Sequence, residues 1–340
     1  MPRNARIDAP GALHHIVIRG IERKAIFEDD ADREDFIDRL SGLLQETATP
    51  CYAWALMTNH VHLLLRTGNV PIASIMRRLL TGYAVRFNLR HRRHGHLFQN
   101  RYKSILCEED TYFKQLVAYI HLNPVRAGIV NDVAALKVFA YAGHSALMGK
   151  RLRTWQDTAY VLGFFGRRLS EARRNLAVYV SKWSSKGRCP ELTGGGLIRS
   201  AGGWQAVKEA YRDGIRITSD ERMLGSSEFV ETTLKQAGEV YERRMLMQSA
   251  GIDLPVLIAA ACRYLGIKEK ELARPTRRVE IARARALIGY VATQYVSISG
   301  SEVARRFNVD RSAISRAIGR VNSEPTLLAA ANSNTTKTRE

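Results

Sequence analysis

The chain has 340 residues, enough for two or three domains, and its hydrophobic (45%) and charged (25%) fractions are those of a globular protein. Its 52 Lys and Arg outnumber its 33 Asp and Glu, so the net charge of +19 favours a polyanionic partner, nucleic acid first and a membrane surface second. A membrane-spanning protein and a disulfide or zinc framework are not expected, because no long apolar run occurs and the cysteines form no C-x-x-C pair.

The chain begins with MPRNARIDAP, a polar and basic segment without the apolar core of a signal peptide, which predicts a cytoplasmic, nucleoid-associated protein. Strand and helix patterns then alternate. The predicted elements are a strand at 14–19, a helix at 31–46, strands at 51–57 and 60–66, a helix at 71–90, a strand at 97–106 and a helix at 110–122. The last helix must stop near Asn123, since Pro124 follows. The order β-α-β-β-α-β-α predicts an α+β fold, a ferredoxin-like split βαβ unit with one added helix.

The rest of the chain is expected to be all-α. Residues 151–183 and 204–248 show helical patterns on either side of a glycine-rich stretch, which we interpret as a loop or linker. Residues 252–322 form a further helical block, and the tail from residue 326 is expected to fray.

Two histidines stand two residues apart in the predicted strand at 60–66. Side chains at i and i+2 of a strand point to the same face, so His60 and His62 should lie side by side. Paired imidazoles on a sheet face are suited to a divalent metal ion. The alternative, from these residues alone, is one histidine in a structural hydrogen bond and the other at the surface.

The segment AYIHLNPVRAG places Tyr119 and Asn123 one turn apart on the same face of the predicted helix. If this helix packs on the histidine face, Asn123 can supply a third metal ligand and Tyr119 a nucleophile. A neutral phenol is a weak nucleophile, and a metal ion on a phosphate would stabilise the charge of the transition state. The alternative is a half-buried core tyrosine beside an asparagine at the helix C-terminus.

The stretch from residue 66 to 107 has no Asp or Glu, and aromatic residues are interleaved with its basic ones. Such a pattern suits single-stranded nucleic acid, whose phosphates meet the cations and whose bases stack on the rings. A solvated helix face with core aromatics is the alternative, although such a face normally carries both signs of charge. The residues expected to contact DNA are Arg77, Arg78, Arg86, Arg90, Arg101 and Lys103.

With these residues in view, residues 7–148 resemble the REP-associated tyrosine transposases, a group within the HUH-type single-tyrosine transposases. The segments that carry the resemblance are HHIVIRGIERKAIF, ALMTNHVHLLL, GHLFQNRYKS and YIHLNPVRAGIV. The resemblance implies a nucleophile at Tyr119, metal ligands at His60, His62 and Asn123, and Mg²⁺ or Mn²⁺ as the metal. In the broader family the position of Asn123 is often Gln. It also implies cleavage of single-stranded DNA beside hairpins, which leaves a 5′-phosphotyrosine and a free 3′-hydroxyl.

A second resemblance covers residues 255–321, which are similar to the C-terminal DNA-binding domain of the bacterial replication initiator DnaA. It is carried by YLGIKEKELARPTRRVEIARARALIGYVA and SGSEVARRFNVDRSAISRAIGRV. The latter has the pattern of a helix-turn-helix, with Ser301 at or beside the first N-cap, a turn at 308–310 and a recognition helix at 311–318. The residues expected to contact duplex DNA are Arg277, Arg278, Arg283, Arg285, Arg311, Ser312, Ser315 and Arg316. Because the recognition helix departs from the initiator's signature, binding to the initiator's own box is not implied.

These features together predict a nickase and strand-transferase for single-stranded DNA that acts as a monomer or homodimer. Two alternatives are a DNA-binding regulator with a decayed catalytic domain and a rolling-circle nickase. The predicted domains are a catalytic domain at 1–150, a helical connecting region with a glycine-rich loop at 151–250, a DnaA-like domain at 251–325 and a flexible tail at 326–340.

Overall fold

The structure, a computed structural model, divides the chain into two compact units, Met1–Thr67 with Pro71–Thr232, and Gly68–Val70 with Thr233–Glu340. The residues that it describes are 11–68, 70–186, 189, 192, 209, 212, 219–236, 238, 252–274, 276, 278–296, 298–310, 313, 314, 316–318 and 321. Among these residues, no helix has both the length and the apolar composition needed to cross a bilayer.

The first unit is built around a five-stranded sheet. Its strands are β1 (Leu13–Arg19), β2 (Cys51–Leu56), β3 (His60–Arg66), β4 (Lys103–Cys107) and β5 (Met223–Leu224). They lie in the order β2-β3-β1-β4-β5, with antiparallel neighbours except for the parallel pair β4–β5. The order of the first four strands is that of a ferredoxin-like split βαβ unit, so the predicted fold class is confirmed.

Eight helices of this unit have the following bounds: α1 (Asp30–Glu46), α2 (Ile72–Arg90), α3 (Glu109–His121), α4 (Asn123–Arg126), α5 (Val133–Leu136), α6 (His144–Leu147), α7 (Thr158–Gly163) and α8 (Leu169–Ser184). Helix α1 begins after Asp29, whose side chain caps it by accepting a hydrogen bond from the Asp32 amide. Helix α3 ends at His121, and the Asn123–Pro124 pair starts a separate short turn, α4, as Pro124 predicts.

Helix α3 covers one face of the sheet. Leu13, Leu64 and Ile105, from three different strands, share a buried cluster with Leu116 and Val117 of α3. The strand residues that alternate with them are buried as well, among them Ile16, Ile18, Val61 and Leu63, so the opposite face is covered too. Both faces of the sheet therefore lie in the core, which explains why its strands are apolar on both sides.

The core of the first unit continues past residue 150. Val161 of α7 and Leu176, Val180 and Trp183 of α8 belong to the same buried cluster as Leu116. The helical pattern predicted for 151–183 is therefore present, and it packs on the α3 side of the sheet. The exact domain boundaries stay predictions.

Two parts of the sheet differ from the sequence-based expectation. The strand predicted for 97–106 is shorter, because β4 begins at Lys103 and Asn100 has a φ of 67°, outside the extended range. Strand β5 lies in a stretch that was predicted to be helical; two residues are too few to show an alternating pattern. Residues 227–236 are helical, but most of 204–248 and of the glycine-rich stretch lies outside the described residues.

The second unit is helical, as predicted. Its helices are α9 (Leu254–Leu265), α10 (Glu269–Leu272), α11 (Val279–Tyr295) and α12 (Gly300–Arg306). Helix α12 is capped by the side chain of Ser299, two residues before Ser301, which corrects the expected N-cap. Asn308 has a φ of 49° in the turn after α12, and the buried Ile314 and Ile318 then pack beside Gly289 of α11. The predicted tail at 326–340 lies outside the described residues.

Candidate active site

The two histidines predicted from the sequence lie on β3, beside the central strand β1. In the register of this pair, His62 is opposite Val17 and His60 is opposite Arg19. The His60 and His62 ring centroids are 5.1 Å apart, with His62 buried and His60 half-buried. The structure thus brings the two imidazoles together on one face, the arrangement that the spacing predicts.

Each of these imidazoles uses one ring nitrogen in a hydrogen bond. Nδ1 of His60 is 2.7 Å from Oδ1 of Asn59, and Nδ1 of His62 is 2.9 Å from Nε2 of His15. Metal-binding histidines typically hold one nitrogen in this way while the other binds the ion. The Nδ1 positions are occupied, so Nε2 of each ring is the atom suited to a metal, and the pair fits a divalent ion.

Burial keeps both imidazoles neutral. Desolvation lowers the pKa of His60 to about 4, with a further contribution from Arg19. The pKa of His62 lies well below its ordinary value, mainly through burial and then through the neighbouring His15, His60 and Arg19. A neutral imidazole is the form that binds a metal, so both rings are ready for an ion at neutral pH.

Tyr119 of α3 stands over this face of the sheet. Its ring meets the rings of His15 and His62 edge to face, with both centroid distances at 6.0 Å. The guanidinium of Arg126, in α4, lies 5.1 Å from the centroid of the same ring. Burial raises the pKa of the Tyr119 phenol above its ordinary value, and the charge of Arg126 opposes that shift. The phenol is therefore neutral at rest and close to groups that can stabilise its anion.

Asn123 is anchored at the end of the tyrosine helix. Its Nδ2 donates to the carbonyl oxygens of Tyr119, at 2.9 Å, and Ile120, at 3.2 Å. This leaves Oδ1 as the atom that can bind a metal. Within the described residues, no group of three His, Cys, Asp or Glu side chains is placed to hold an ion. A third protein ligand would therefore have to be another kind of group, such as an amide oxygen. The role of Asn123 as that ligand stays a prediction.

A cavity of about 600 Å³ opens beside the candidate nucleophile. It is bordered by Tyr119, His62 and His15 on one side and by three cationic side chains, Arg19, Arg101 and Lys103. Gln99, Asn100, Tyr102 and Leu192 also line it. Arg101 and Lys103 were predicted to contact DNA, and the structure brings both next to Tyr119.

The lining residues that had no role in the sequence-based prediction include His15, Arg19 and Leu192. His15, Val17 and Arg19 are spaced two residues apart along β1, so all three side chains point to the same face. In a ferredoxin-like sheet β1 lies beside β3. That combination was the signal that could have identified the first two. Leu192 lies within the glycine-rich stretch, which has no such signal.

Three of the arginines predicted to contact DNA form ion pairs that join α2 to α1. Arg78 binds Glu46 at 2.6 Å, and Arg86 binds Asp35 at 3.1 Å. Arg90 contacts both Asp29 and Asp32. Arg77 of the same helix is exposed. The basic stretch is thus balanced in part by the acidic residues of α1, which are remote in sequence.

The aromatic residues of residues 66–107 also lie in different places, some in the core and one at the cavity. Tyr83 and Phe87 are almost completely buried in the core, 1% and 2% exposed, so neither presents a ring to a base. Tyr102 instead lines the cavity beside Tyr119.

The candidate DNA contacts of the second unit are only partly described. Arg278, Arg283 and Arg316 are exposed, and Arg278 also binds Glu271 at 2.7 Å. Arg285 donates to the carbonyl oxygens of Leu272 and Arg274, which close the preceding turn. The predicted contacts that lie outside the described residues are Arg277, Arg311, Ser312 and Ser315.

Comparison with known proteins connects this geometry to two families. Residues 10–123 match the family model of IS200-like transposases, and residues 256–321 match that of the bacterial DnaA helix-turn-helix. A solved structure of a REP-associated tyrosine transposase bound to a REP hairpin is similar at 13% identity and a TM-score of 0.37, over 46% of this chain and 98% of that one. A candidate transposase from Deinococcus radiodurans is similar at 21% identity and a TM-score of 0.26, over 35% of this chain and 95% of that one.

No curated protein matches the chain. The family matches nevertheless confirm both resemblances seen in the sequence. Residues 10–123 are similar to IS200-like transposases, enzymes that act on DNA, and residues 256–321 are similar to the helix-turn-helix domain of bacterial DnaA.

Proposed function

We propose that this protein is a metal-dependent endonuclease and strand-transferase for single-stranded DNA at hairpin or palindromic sites, with Tyr119 as the nucleophile. The observation that carries the proposal is the convergence of Tyr119 and the His60–His62 pair beside a cavity lined by cationic side chains. A phenol, a pair of neutral imidazoles that can hold a metal ion, and nearby cations are together suited to phosphoryl transfer to a tyrosine.

The histidine pair and Asn123 are the residues that would hold Mg²⁺ or Mn²⁺, through Nε2 of each ring and the amide oxygen. When bound, such an ion polarises the scissile phosphate and stabilises the charge that develops on it. The low pKa values of His60 and His62 keep their lone pairs available at neutral pH. The chain needs no nucleotide-binding loop for this chemistry, because the phosphotyrosine conserves the phosphodiester bond energy.

Tyr119 attacks the scissile phosphorus through its phenolic oxygen. A bond forms between that oxygen and phosphorus, and the bond from phosphorus to the 3′-oxygen breaks. The phenol proton passes to solvent, and the leaving 3′-oxygen takes up a proton from solvent. The products are a 5′-phosphotyrosine and a strand that ends in a free 3′-hydroxyl. Attack by a different 3′-hydroxyl on the phosphotyrosine reverses the reaction and completes strand transfer.

The cations around Tyr119 have a positioning role in this scheme. Arg19, Arg101 and Lys103 are exposed and line the cavity, so they can hold the phosphates that flank the scissile bond. Arg126 lies against the Tyr119 ring from the other element, α4, and restricts its orientation. The helix-turn-helix of the second unit would bind neighbouring duplex DNA.

The experiment is a denaturing-gel assay with end-labelled single-stranded DNA that contains palindromes, in the presence of Mg²⁺ or Mn²⁺. We expect a protein–DNA adduct that requires the metal and is absent in Tyr119→Phe. Tyr112→Phe is the matched control, since Tyr112 lies on the same helix but does not line the cavity. If hairpin DNA binds tightly without adduct or cleavage in any metal, the protein is instead a DNA-binding regulator, a role that its helix-turn-helix would support.

A further inference from the structure

His15 of β1 has no part in the reaction described above, yet it occupies the centre of the site. It is 2% exposed, and its Nε2 lies 2.9 Å from Nδ1 of His62. The two rings are stacked, with centroids 5.2 Å apart and planes inclined by 24°. The His15 ring also meets the edge of the Tyr119 ring at 6.0 Å. One buried imidazole therefore contacts both the candidate ligand and the candidate nucleophile.

The direction of the His15–His62 hydrogen bond decides whether His62 can bind a metal. A neutral imidazole has one N–H and one lone pair, on different nitrogens. If His15 donates through Nε2, then His62 accepts at Nδ1 and carries its proton on Nε2, where an ion would bind. If His62 donates through Nδ1, its Nε2 keeps the lone pair. Only this second arrangement is compatible with a metal at Nε2.

We propose that His15 is a positioning residue: it accepts a hydrogen bond from Nδ1 of His62 and so holds this ring in the tautomer and orientation that bind the metal. This role presupposes the metal site proposed above. Removing a residue that hydrogen-bonds to a metal ligand typically weakens metal binding by about 10- to 100-fold. Asn59 has the same relation to His60, through the 2.7 Å contact between Oδ1 and Nδ1. Each candidate ligand thus has its own partner: an adjacent residue for His60 and a residue of another strand for His62.

The neighbouring His14 provides a matched control. It is also buried in β1, at 1% exposure, but it points to the opposite face of the sheet, where Nδ1 lies 3.1 Å from the hydroxyl of Ser104. Replacing either histidine with Leu removes a buried imidazole from the same strand. A general loss of stability should therefore affect both variants, whereas a loss of metal binding should affect His15→Leu alone.

The experiment measures the Kd of Mn²⁺ by electron paramagnetic resonance on the full chain without DNA, at a pH where the imidazoles are neutral. The wild type, His15→Leu, His15→Gln, His14→Leu and His62→Ala are compared. We expect His15→Leu to bind Mn²⁺ about 10- to 100-fold more weakly. His15→Gln should recover much of this loss, because its side-chain oxygen can accept from Nδ1 of His62. His14→Leu should bind as the wild type does.

An unchanged Kd in His15→Leu, or an equal loss in His14→Leu, overturns the role of His15 while the metal site stands. Loss of binding in His15→Leu as complete as in His62→Ala, without recovery in His15→Gln, would make His15 a direct ligand and also overturn it. If the wild type binds no Mn²⁺, or His62→Ala binds it normally, the proposed metal site itself fails.

A second measurement reads the tautomer directly. Long-range ¹H–¹⁵N spectra of protein labelled at histidine nitrogens distinguish protonation at Nδ1 from protonation at Nε2. In the metal-free wild type we expect His62 to carry its proton on Nδ1, and in His15→Leu we expect a mixture. A wild-type His62 protonated on Nε2 would contradict the inference.

Discussion

At the scale of single residues, two opposing influences act on the pKa of the Tyr119 phenol. Burial disfavours its phenolate, and the nearby guanidinium of Arg126 favours it. The residue that would attack the phosphate is thus kept neutral at rest and is supported when charge develops. The contribution of Arg126 should therefore be larger for the reaction than for the fold.

Replacing Arg126 with Gln should lower the rate of adduct formation. A cation over an aromatic ring at an exposed site contributes about 0.5–1 kcal/mol, which corresponds to about a two- to fivefold change in rate. The measurement is a single-turnover time course with saturating DNA, compared with Arg126→Lys, which keeps the charge, and with Arg167→Gln, an exposed control on α7's C-terminal side. A rate in Arg126→Gln equal to that of the wild type would show that the contact has no role in the reaction.

A second pair of histidines gives the protein a sensitivity to acid. His121 and His144 are both 0% exposed, their ring centroids are 5.7 Å apart, and neither ring has a hydrogen-bond partner among the described residues. Burial lowers the pKa of His144 to about 4 and that of His121 well below its ordinary value. Both rings are neutral in the folded protein, so they titrate more readily after unfolding.

Since these pKa values are lowered by folding, the unfolded state binds more protons below pH 6.5. The stability is complete above the unfolded value and falls as the pH drops from about 6.5 towards about 4. His144 alone should account for about 3 kcal/mol over this range. We expect the free energy of unfolding of His144→Leu, measured by urea denaturation, to depend less on pH than that of the wild type. An identical pH dependence, or the same flattening in the exposed control His94→Leu, would contradict this account.

At the scale of elements, the basic residues of α2 and those near the start of β4 have different surroundings. Three arginines of α2 pair with carboxylates of α1, whereas Arg101 and Lys103, just before and at the first residue of β4, border the cavity. An arginine that is already paired with a carboxylate is expected to release fewer counterions when it binds DNA. The basic residues of this stretch are therefore not expected to contribute equally to DNA binding.

Arg101→Ala and Lys103→Ala should each weaken the binding of single-stranded DNA and reduce the salt dependence of log K by about 1. Arg78→Ala, whose guanidinium binds Glu46 at 2.6 Å, should change both quantities much less. Fluorescence anisotropy over a range of salt concentrations measures affinity and slope together. Equal losses in all three variants would show that the ion pair with α1 opens when DNA binds.

The same division explains how far the sequence could predict the structure. His60 and His62 share a face because of the strand period, and Tyr119 and Asn123 share one because of the helix period; both relations are local. The contact between His15 and His62 joins residues that are 47 positions apart and depends on the register of β1 with β3. The ion pairs of Arg90 likewise span 58 positions or more, from α2 back to α1. Local periodicity carries no information about either.

At the scale of the whole molecule, two compact units carry two family resemblances. The first contains the cavity with Tyr119, and the second contains the helix-turn-helix. If the two bind different forms of DNA, their contributions should be separable by substitution. Arg283 and Arg316 are two described and exposed residues of the second unit that are predicted to contact duplex DNA.

The double variant Arg283→Ala and Arg316→Ala should bind duplex DNA more weakly, with a salt slope reduced by about 2. It should form the Tyr119 adduct on a short single strand at the wild-type rate, because neither residue lines the cavity. Gel-shift titrations and adduct time courses on the same preparations measure the two effects. A parallel loss of both activities would contradict a division of labour between the two units.

The central claim is that Tyr119 is the residue that becomes linked to DNA. Tyr102 lines the same cavity, so the identity of the tyrosine is a real question. The most direct measurement is mass spectrometry of the trapped adduct after nuclease and protease digestion. The account predicts a nucleotide attached through its 5′-phosphate to the peptide that contains Tyr119. Attachment at Tyr102, or attachment through a 3′-phosphate, would contradict it.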